Sequence, residues 1–250
     1  MQNIRDKIRA ISETYFPYFY SFFRDWYWKS REVKVCLLGT KVAEKKWANR
    51  SLSEIKAAFN NITHPHRLFL LEKITAFQPI SNVLEVGCGY GANLHLLSKR
   101  FPEVKLTGID INSLSVQEGK KLLREEGISN VKLLVGKADE LYRFQDKSFD
   151  IVFTDALLIY IGPDQIETVI EGMLRIARRA LILVEWHENF EGRLSQSLGV
   201  YHFGCWKRDY INLLKQSIPS EHIRLSKIPR GIWPAKHWEE LGFIVEAIIK

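Results

Sequence analysis

One stretch, Glu85-Val86-Gly87-Cys88-Gly89-Tyr90-Gly91, constrains the fold more than any other. It follows an apolar run and leads into a helical pattern, so it reads as a strand that ends in a glycine-rich turn and passes directly into a helix. Glycine lets the backbone turn sharply and approach a ligand closely, and the start of the helix offers free N–H groups and a positive dipole end to an anionic group. Nineteen residues beyond Gly91 stands Asp110, at the end of the next apolar run. An acid there can accept both hydroxyls of a ribose. The spacing predicts an adenosine-containing ligand. A dinucleotide fold would place its third glycine one position later and favour an apolar residue where Glu85 stands.

The surroundings agree with this reading. From about Ser81 onward short β-branched runs alternate with helical patterns, the signature of βαβ units on a parallel sheet. Strands are predicted at 82–86, 104–109, 131–135, 149–154 and 180–185, with two more near 223–228 and 243–249. Helices are predicted at 91–100, 113–126, 164–178 with Asp164 as N-cap, 207–217 and 235–241, and a loop rich in aromatics and histidine after 186. Residues 1–80 read as helical, with Thr63 capping a helix over 65–77. The expected fold class is α/β, a doubly wound, Rossmann-like sheet of seven mostly parallel strands with an antiparallel C-terminal strand. Two domains are expected: an N-terminal helical extension over 1–60 and a ligand-binding domain over 61–250.

With these motifs in order, residues 60–250 resemble the class I S-adenosylmethionine-dependent methyltransferases, in particular their small-molecule branch. The EVGCGYG segment is similar to the family's first motif, Asp110 to its ribose acid, and Gly136-Lys137-Ala138-Asp139 to its adenine-contacting turn. Phe149 to Asp155 and Leu181 to Glu185 resemble its fourth and fifth strands. The resemblance implies S-adenosylmethionine as cofactor and S-adenosylhomocysteine as product; no metal is expected, because the clustered carboxylates of a catechol-type metal site are not evident. It also implies cofactor contacts from Glu85, Gly87, Cys88, Gly89 and Gly91, from Asp110 and Ile111, and from Ala138 and Asp139. Two of these have plain structural alternatives, Ile111 as a core residue and Asp139 as a solvated turn acid.

Methyl transfer from a sulfonium is an in-line displacement that depends on positioning and exclusion of water. A hydroxyl acceptor also benefits from a general base. Ligands bind beyond the carboxyl ends of the strands in open α/β sheets, which nominates Asp155, Tyr160, Glu185, His187 and His202. His187 is the first choice as base because imidazole titrates near neutral pH, whereas Asp155 could instead contact the cofactor's amino group. The sequence lacks a (D/N)PP(Y/F/W) segment after the fourth strand and a Pro-Cys nucleophile, which argues against amino-methylation of DNA bases and against cytosine C5 chemistry. His64-Pro65-His66 lacks further ligands nearby and reads as a helix start rather than a metal site.

Charge refines the acceptor question. The net charge is +7, yet residues 1–50 carry 11 basic and 5 acidic residues, whereas 83–190 carry 13 and 16. The excess therefore belongs to an N-terminal arm, in which residues 15–28 hold ten of the thirty aromatics. Residues 1–34 could form a lid, a homodimer contact or a membrane-surface helix, with nucleic-acid contact a weaker expectation. No signal peptide, disulfide framework or membrane span is apparent, so a cytoplasmic protein is expected, peripheral to the membrane if the arm binds lipid. The expected acceptor is a small or lipid-linked molecule. A loose similarity to methyltransferases of polysaccharide gene clusters adds a glycan or its precursor. An RNA methyltransferase and a non-catalytic adenosine-ligand module remain as alternatives.

Overall fold

A computed structural model describes residues 39–59, 61–190 and 198–249. The aromatic segment 15–28 and the rest of the arm 1–34 lie outside the described residues. The chain divides into compact units Met1–Gly39 and Thr40–Lys250. The second unit opens with helices α1 (Lys41–Ala48), α2 (Leu52–Phe59) and α3 (Pro65–Thr75). An alternating series follows: β1 (Asn82–Val86), α4 (Ala92–Arg100), β2 (Lys105–Asp110), α5 (Ser113–Glu125), β3 (Val131–Val135), β4 (Phe149–Asp155), α6 (Ile166–Ile176) and β5 (Ala177–Trp186). The chain ends with β6 (Val200–His202), β7 (Cys205–Lys207), α7 (Tyr210–Leu214), β8 (Ile223–Lys227), α8 (Lys236–Leu241) and β9 (Gly242–Ile248).

Seven strands form one sheet in the order β3-β2-β1-β4-β5-β9-β8. β3 through β5 run parallel, and β9 lies antiparallel between β5 and β8. The expected doubly wound sheet is therefore present. Its central strands are apolar on both faces because helices cover both: Leu70, Leu94, Leu97 and Val116 pack on one side, Val169, Met173, Ile176 and Leu214 on the other. β1 lies between β2 and β4, and the chain runs to β2 and β3 on one side of it and to β4 and β5 on the other. That switch point opens a crevice above the glycine turn.

Several boundaries depart from expectation, each for a local reason. α6 ends at Ile176 rather than 178 because Ala177 turns extended and pairs with Phe149, which also lengthens β5. Asp164 does not cap α6. Gln165 holds that place, and the Asp164 carboxylate accepts from the Thr40 amide and hydroxyl, both at 2.9 Å. Nor does Thr63 cap α3, since His64 is the N-cap and Pro65 fills the first helical position, where its missing N–H costs nothing. Part of the aromatic loop after 186 is a hairpin of β6 and β7, closed by Phe203-Gly204 with φ of 45° and 89°. That pairing and the Asp209 cap, which accepts from the Asn212 amide at 3.0 Å, hold the next helix to Tyr210–Leu214. Among the described residues no helix is long and apolar enough to cross a membrane.

Candidate active site

A cavity of about 270 Å³ lies above the carboxyl ends of β1, β2 and β4. At its floor the glycine turn is hooked to β2, with the amides of Gly87 and Cys88 donating to the Ile109 carbonyl at 2.8 and 3.1 Å. Gly87 has φ of +79°, and a Cβ there would come within 2.8 Å of the Leu157 side chain, so both backbone and space demand glycine. Gly87, Cys88 and Gly89 line the cavity. Gly91 does not; it turns left-handed into α4, and a Cβ there would stand 3.1 Å from Leu133.

Asp110 forms one end. One carboxylate oxygen accepts from the Gly89 amide and the other from the Asn112 amide, both at 2.8 Å, and burial pushes its pKa up against those two bonds. Ile111, Gly136, Lys137 and Ala138 continue this wall. Asp139 is not among the lining residues, and its Oδ1 is buried without a hydrogen-bond partner.

The other end is a polar cluster around Asp155. Asn93, on α4, donates to Glu85 Oε1 at 2.7 Å and to Asp155 Oδ2 at 2.9 Å. Arg67, on α3, donates to Asn93 Oδ1 at 2.9 Å and to Asp155 Oδ2 at 3.3 Å. His66 Nε2 adds a contact to the same oxygen at 3.1 Å, and its Nδ1 lies 2.6 Å from that of His64. Burial alone would raise Asp155, but His66 and Arg67 hold its pKa down at about 2. At Glu85 burial outweighs the Asn93 bond and the pull of Arg67, and drives its carboxyl well above the usual range. Two oxygens remain: Glu85 Oε2 and Asp155 Oδ1 are buried and unpartnered. Orphaned buried acceptors are costly in a finished core and expected where a cationic or N–H-bearing ligand completes them.

The roof of the cavity comes from α1 and the residues beside it. Thr40, Glu44, Trp47 and Arg50 line the cavity. The segment is tied down by Asn112, whose side chain donates to the carbonyls of Trp47 and Ala48 at 2.9 and 3.1 Å while its oxygen caps α5 through the Ser115 amide. The Trp47 ring lies 4.8 Å from that of Tyr160, and its Nε1 is buried without a partner. Trp233, from the loop after β8, closes the far side and stacks on His66 at 3.9 Å.

The structure thus brings together Glu85, Gly87, Cys88, Gly89, Asp110, Ile111, Ala138, Asp155 and Tyr160. It does not bring the candidate histidines there. His187 is 5% exposed, packs on Phe243, and its Nδ1 accepts from the Tyr210 amide at 3.2 Å. Burial lowers its pKa, so it sits neutral inside the domain. His202 contacts Phe203 and His237 on the hairpin side. Glu185 is wholly buried beneath the loop that follows β4. Tyr160 lines the cavity beside Cys205, and burial raises its phenol, which keeps it a neutral hydroxyl rather than a phenolate. Sequence reasoning missed Trp47, Arg67, Asn93 and Trp233. The signal for Arg67 was at hand in His64-Pro65-His66-Arg67, a helix start that aims its first turn at Asp155.

Residues 83–180 match a family model described as a methyltransferase domain. A Mycobacterium avium protein named "Putative O-methyltransferase" is 36% identical over 128 residues, covering 50% of this chain and 55% of that protein. A malonyl-[acyl-carrier protein] O-methyltransferase of Priestia megaterium is 25% identical over 120 residues, 48% of this chain and 42% of that protein. The chain spans about half the length of the curated relatives it matches. Among solved structures, an S-adenosylmethionine-dependent methyltransferase from Aquifex aeolicus superposes with a TM-score of 0.55 at 21% identity, covering 81% of this chain and all of that one. A magnesium protoporphyrin IX methyltransferase from Synechocystis, crystallised with S-adenosylmethionine, gives 0.54 at 13% identity over 81% of this chain and 86% of that one.

Proposed function

We propose that this chain, whose residues 83–180 match a methyltransferase-domain family model, is a class I methyltransferase that transfers a methyl group from S-adenosylmethionine to a small or lipid-linked acceptor. The observation that carries the reading is the pair of orphaned oxygens. Glu85 Oε2 and Asp155 Oδ1 are fixed by one asparagine at one end of a cavity whose other end is Asp110. S-adenosylmethionine fits this polarity, with its ribose at Asp110, its adenine along Ile111 and Ala138, its ammonium between Glu85 and Asp155, and its carboxylate at Arg67. When bound it supplies a methyl group on a positively charged sulfur. The protein's own part is to hold, orient and exclude water. Asp110 fixes the ribose, Asp155 gives the cation a buried counter-charge, Glu85 adds an acceptor oxygen, and Trp47 roofs the site.

The names of the mycobacterial relatives favour oxygen as the acceptor atom. The Tyr160 hydroxyl and the apolar faces of Leu157 and Ile161 are then the groups that meet the acceptor, in the part of the cavity that the cofactor leaves. A glycan or glycan precursor fits the same description. The arm 1–34 would deliver such an acceptor, from the membrane surface if it is lipid-linked.

Two measurements test the reading. Calorimetry with S-adenosylhomocysteine and with adenosine should show that the first binds at least tenfold more tightly, since only it fills the Asp155 end. Incubation with methyl-labelled donor and fractionated lysate should then place label in the lipid or small-molecule fraction. Label in RNA would favour the nucleic-acid alternative, and cofactor binding with no label in any fraction would leave a binding module.

A further inference from the structure

Resting on that reading of the cavity, we propose that Glu185 and Arg208 are positioning residues that clamp segment 157–161, the wall against the Asp155 end, and so set the pose of the donor toward its acceptor. Neither residue lines the cavity, whereas Leu157, Tyr160 and Ile161 do. The segment follows β4 as a single 3₁₀ turn, Leu158–Tyr160, whose own bonds satisfy only the Tyr160 and Ile161 amides, so the amides of 157–159 must be satisfied from elsewhere.

Two buried ions do this from opposite sides. The Glu185 carboxylate accepts from three successive amides, Leu157 at 3.2 Å, Leu158 at 3.0 Å and Ile159 at 3.1 Å, and from the Thr154 hydroxyl at 2.7 Å. The Arg208 guanidinium donates to the carbonyls of Leu158, at 2.6 Å, and Ile161. Both side chains are fully buried. An apolar pair of similar volume would fill the same space at lower desolvation cost, so packing alone does not account for two ions here. What the ions add is direction: five backbone groups of one short segment are fixed, and with them the side chains that face the cavity. Leu157 passes this outward, because its side chain lies where a Cβ on Gly87 would be.

The clamp also responds to protons. Burial pushes the Glu185 carboxyl up to about 7 against the pull of its four donors. The other ionisable groups that face it are Tyr160, Cys205, Arg208 and Tyr210. Tyrosine and thiol are raised by burial, so Glu185 is the member that changes charge near neutrality. A protonated carboxyl has less acceptor capacity for three converging amides, and the segment loosens as pH falls.

The test uses the full chain and two ligands, S-adenosylhomocysteine and adenosine. At pH 8, Glu185→Gln should weaken S-adenosylhomocysteine about tenfold while adenosine changes less than about twofold, because adenosine occupies only the remote Asp110 end. Wild-type affinity for S-adenosylhomocysteine should fall toward the variant's level between about pH 8 and 6, with the variant flatter over that range. Independently of any ligand, the ¹⁵N-resolved amides of residues 157–159 should titrate with a midpoint near 7 in the wild type and not in Glu185→Gln. If Glu185→Gln does not fold, Arg208→Lys replaces it in the calorimetry, and the wild-type amide titration stands alone. An unchanged ratio of the two affinities, an equal loss of both, or amides insensitive to pH overturns the clamp. A wild type that binds neither ligand overturns the cofactor reading instead, while the amide titration still decides whether the clamp exists.

Discussion

At the Asp110 end of the cavity the lining comes from turns that each follow a strand directly: Gly87 and Gly89 after β1, Ile111 after β2, and Ala138 after β3. At the Asp155 end it comes from α3, β1, α4, β4 and the loop after β8, segments as far apart as Arg67 and Trp233. The first end makes its contacts through backbone amides and one carboxylate, so short spacings suffice to build it. The second depends on side chains that satisfy one another across the fold. An end built locally should lose ligand affinity when mutated and little else, whereas an end built from interlocked charges should lose stability as well.

Five variants would sharpen or break this contrast. The largest is expected for Asp155→Ala, which strands His66 and Arg67 in the interior. It should lower unfolding free energy by about 3 to 5 kcal/mol in denaturant titrations. Asp155→Asn should isolate the charge. The folded pKa of Asp155, about 2, is depressed below the usual 3.8. Its ionic contribution is therefore complete above that value and lost as pH falls through about 2, and acid titrations of stability should show this step in the wild type and lack it in Asp155→Asn.

Next is Asp110→Ala, expected to weaken adenosine and S-adenosylhomocysteine alike by about 1.5 to 3 kcal/mol in calorimetry. Arg67→Ala is the counterpart at the other end, costing about 1 to 3 kcal/mol for S-adenosylhomocysteine and nothing for adenosine. Equal losses for the two ligands in both variants would dissolve the distinction between the ends. The smallest effect should come from Asn112→Ala, which removes the α5 cap and the tie to α1. About 1 kcal/mol of stability is expected to go, with faster dissociation of S-adenosylhomocysteine in stopped-flow fluorescence of Trp47.

Most of the sheet was legible because its strands are continuous apolar runs bounded by turn residues, and their alternation with helices implies parallel neighbours. The glycine turn and Asp110 were legible for the same reason, being a motif of fixed spacing on consecutive elements. His187 misled because the sequence placed it just after a strand but could not say which way it faced. The bridge between His187 and Arg208 and the packing of Phe243 turn it into the core. Glu185 misled similarly: an acid at a strand end suggests a base, yet the backbone after β4 needed its oxygens. The hairpin of β6 and β7 was hidden in a run of aromatics without strict alternation.

The sequence by itself determined the doubly wound sheet, the position of the glycine turn and the acid that follows the second strand, since hydrophobic period and short spacing are properties of neighbouring residues. Only the tertiary structure decided that Arg67, Asn93, Glu85 and Asp155 form one cluster, that α1 roofs the cavity, and that Glu185 and Arg208 grip the wall from behind. Those arrangements rest on buried polar groups finding partners across the chain. Which partner a buried charge finds depends on how the layers pack, and that is settled only when the fold closes.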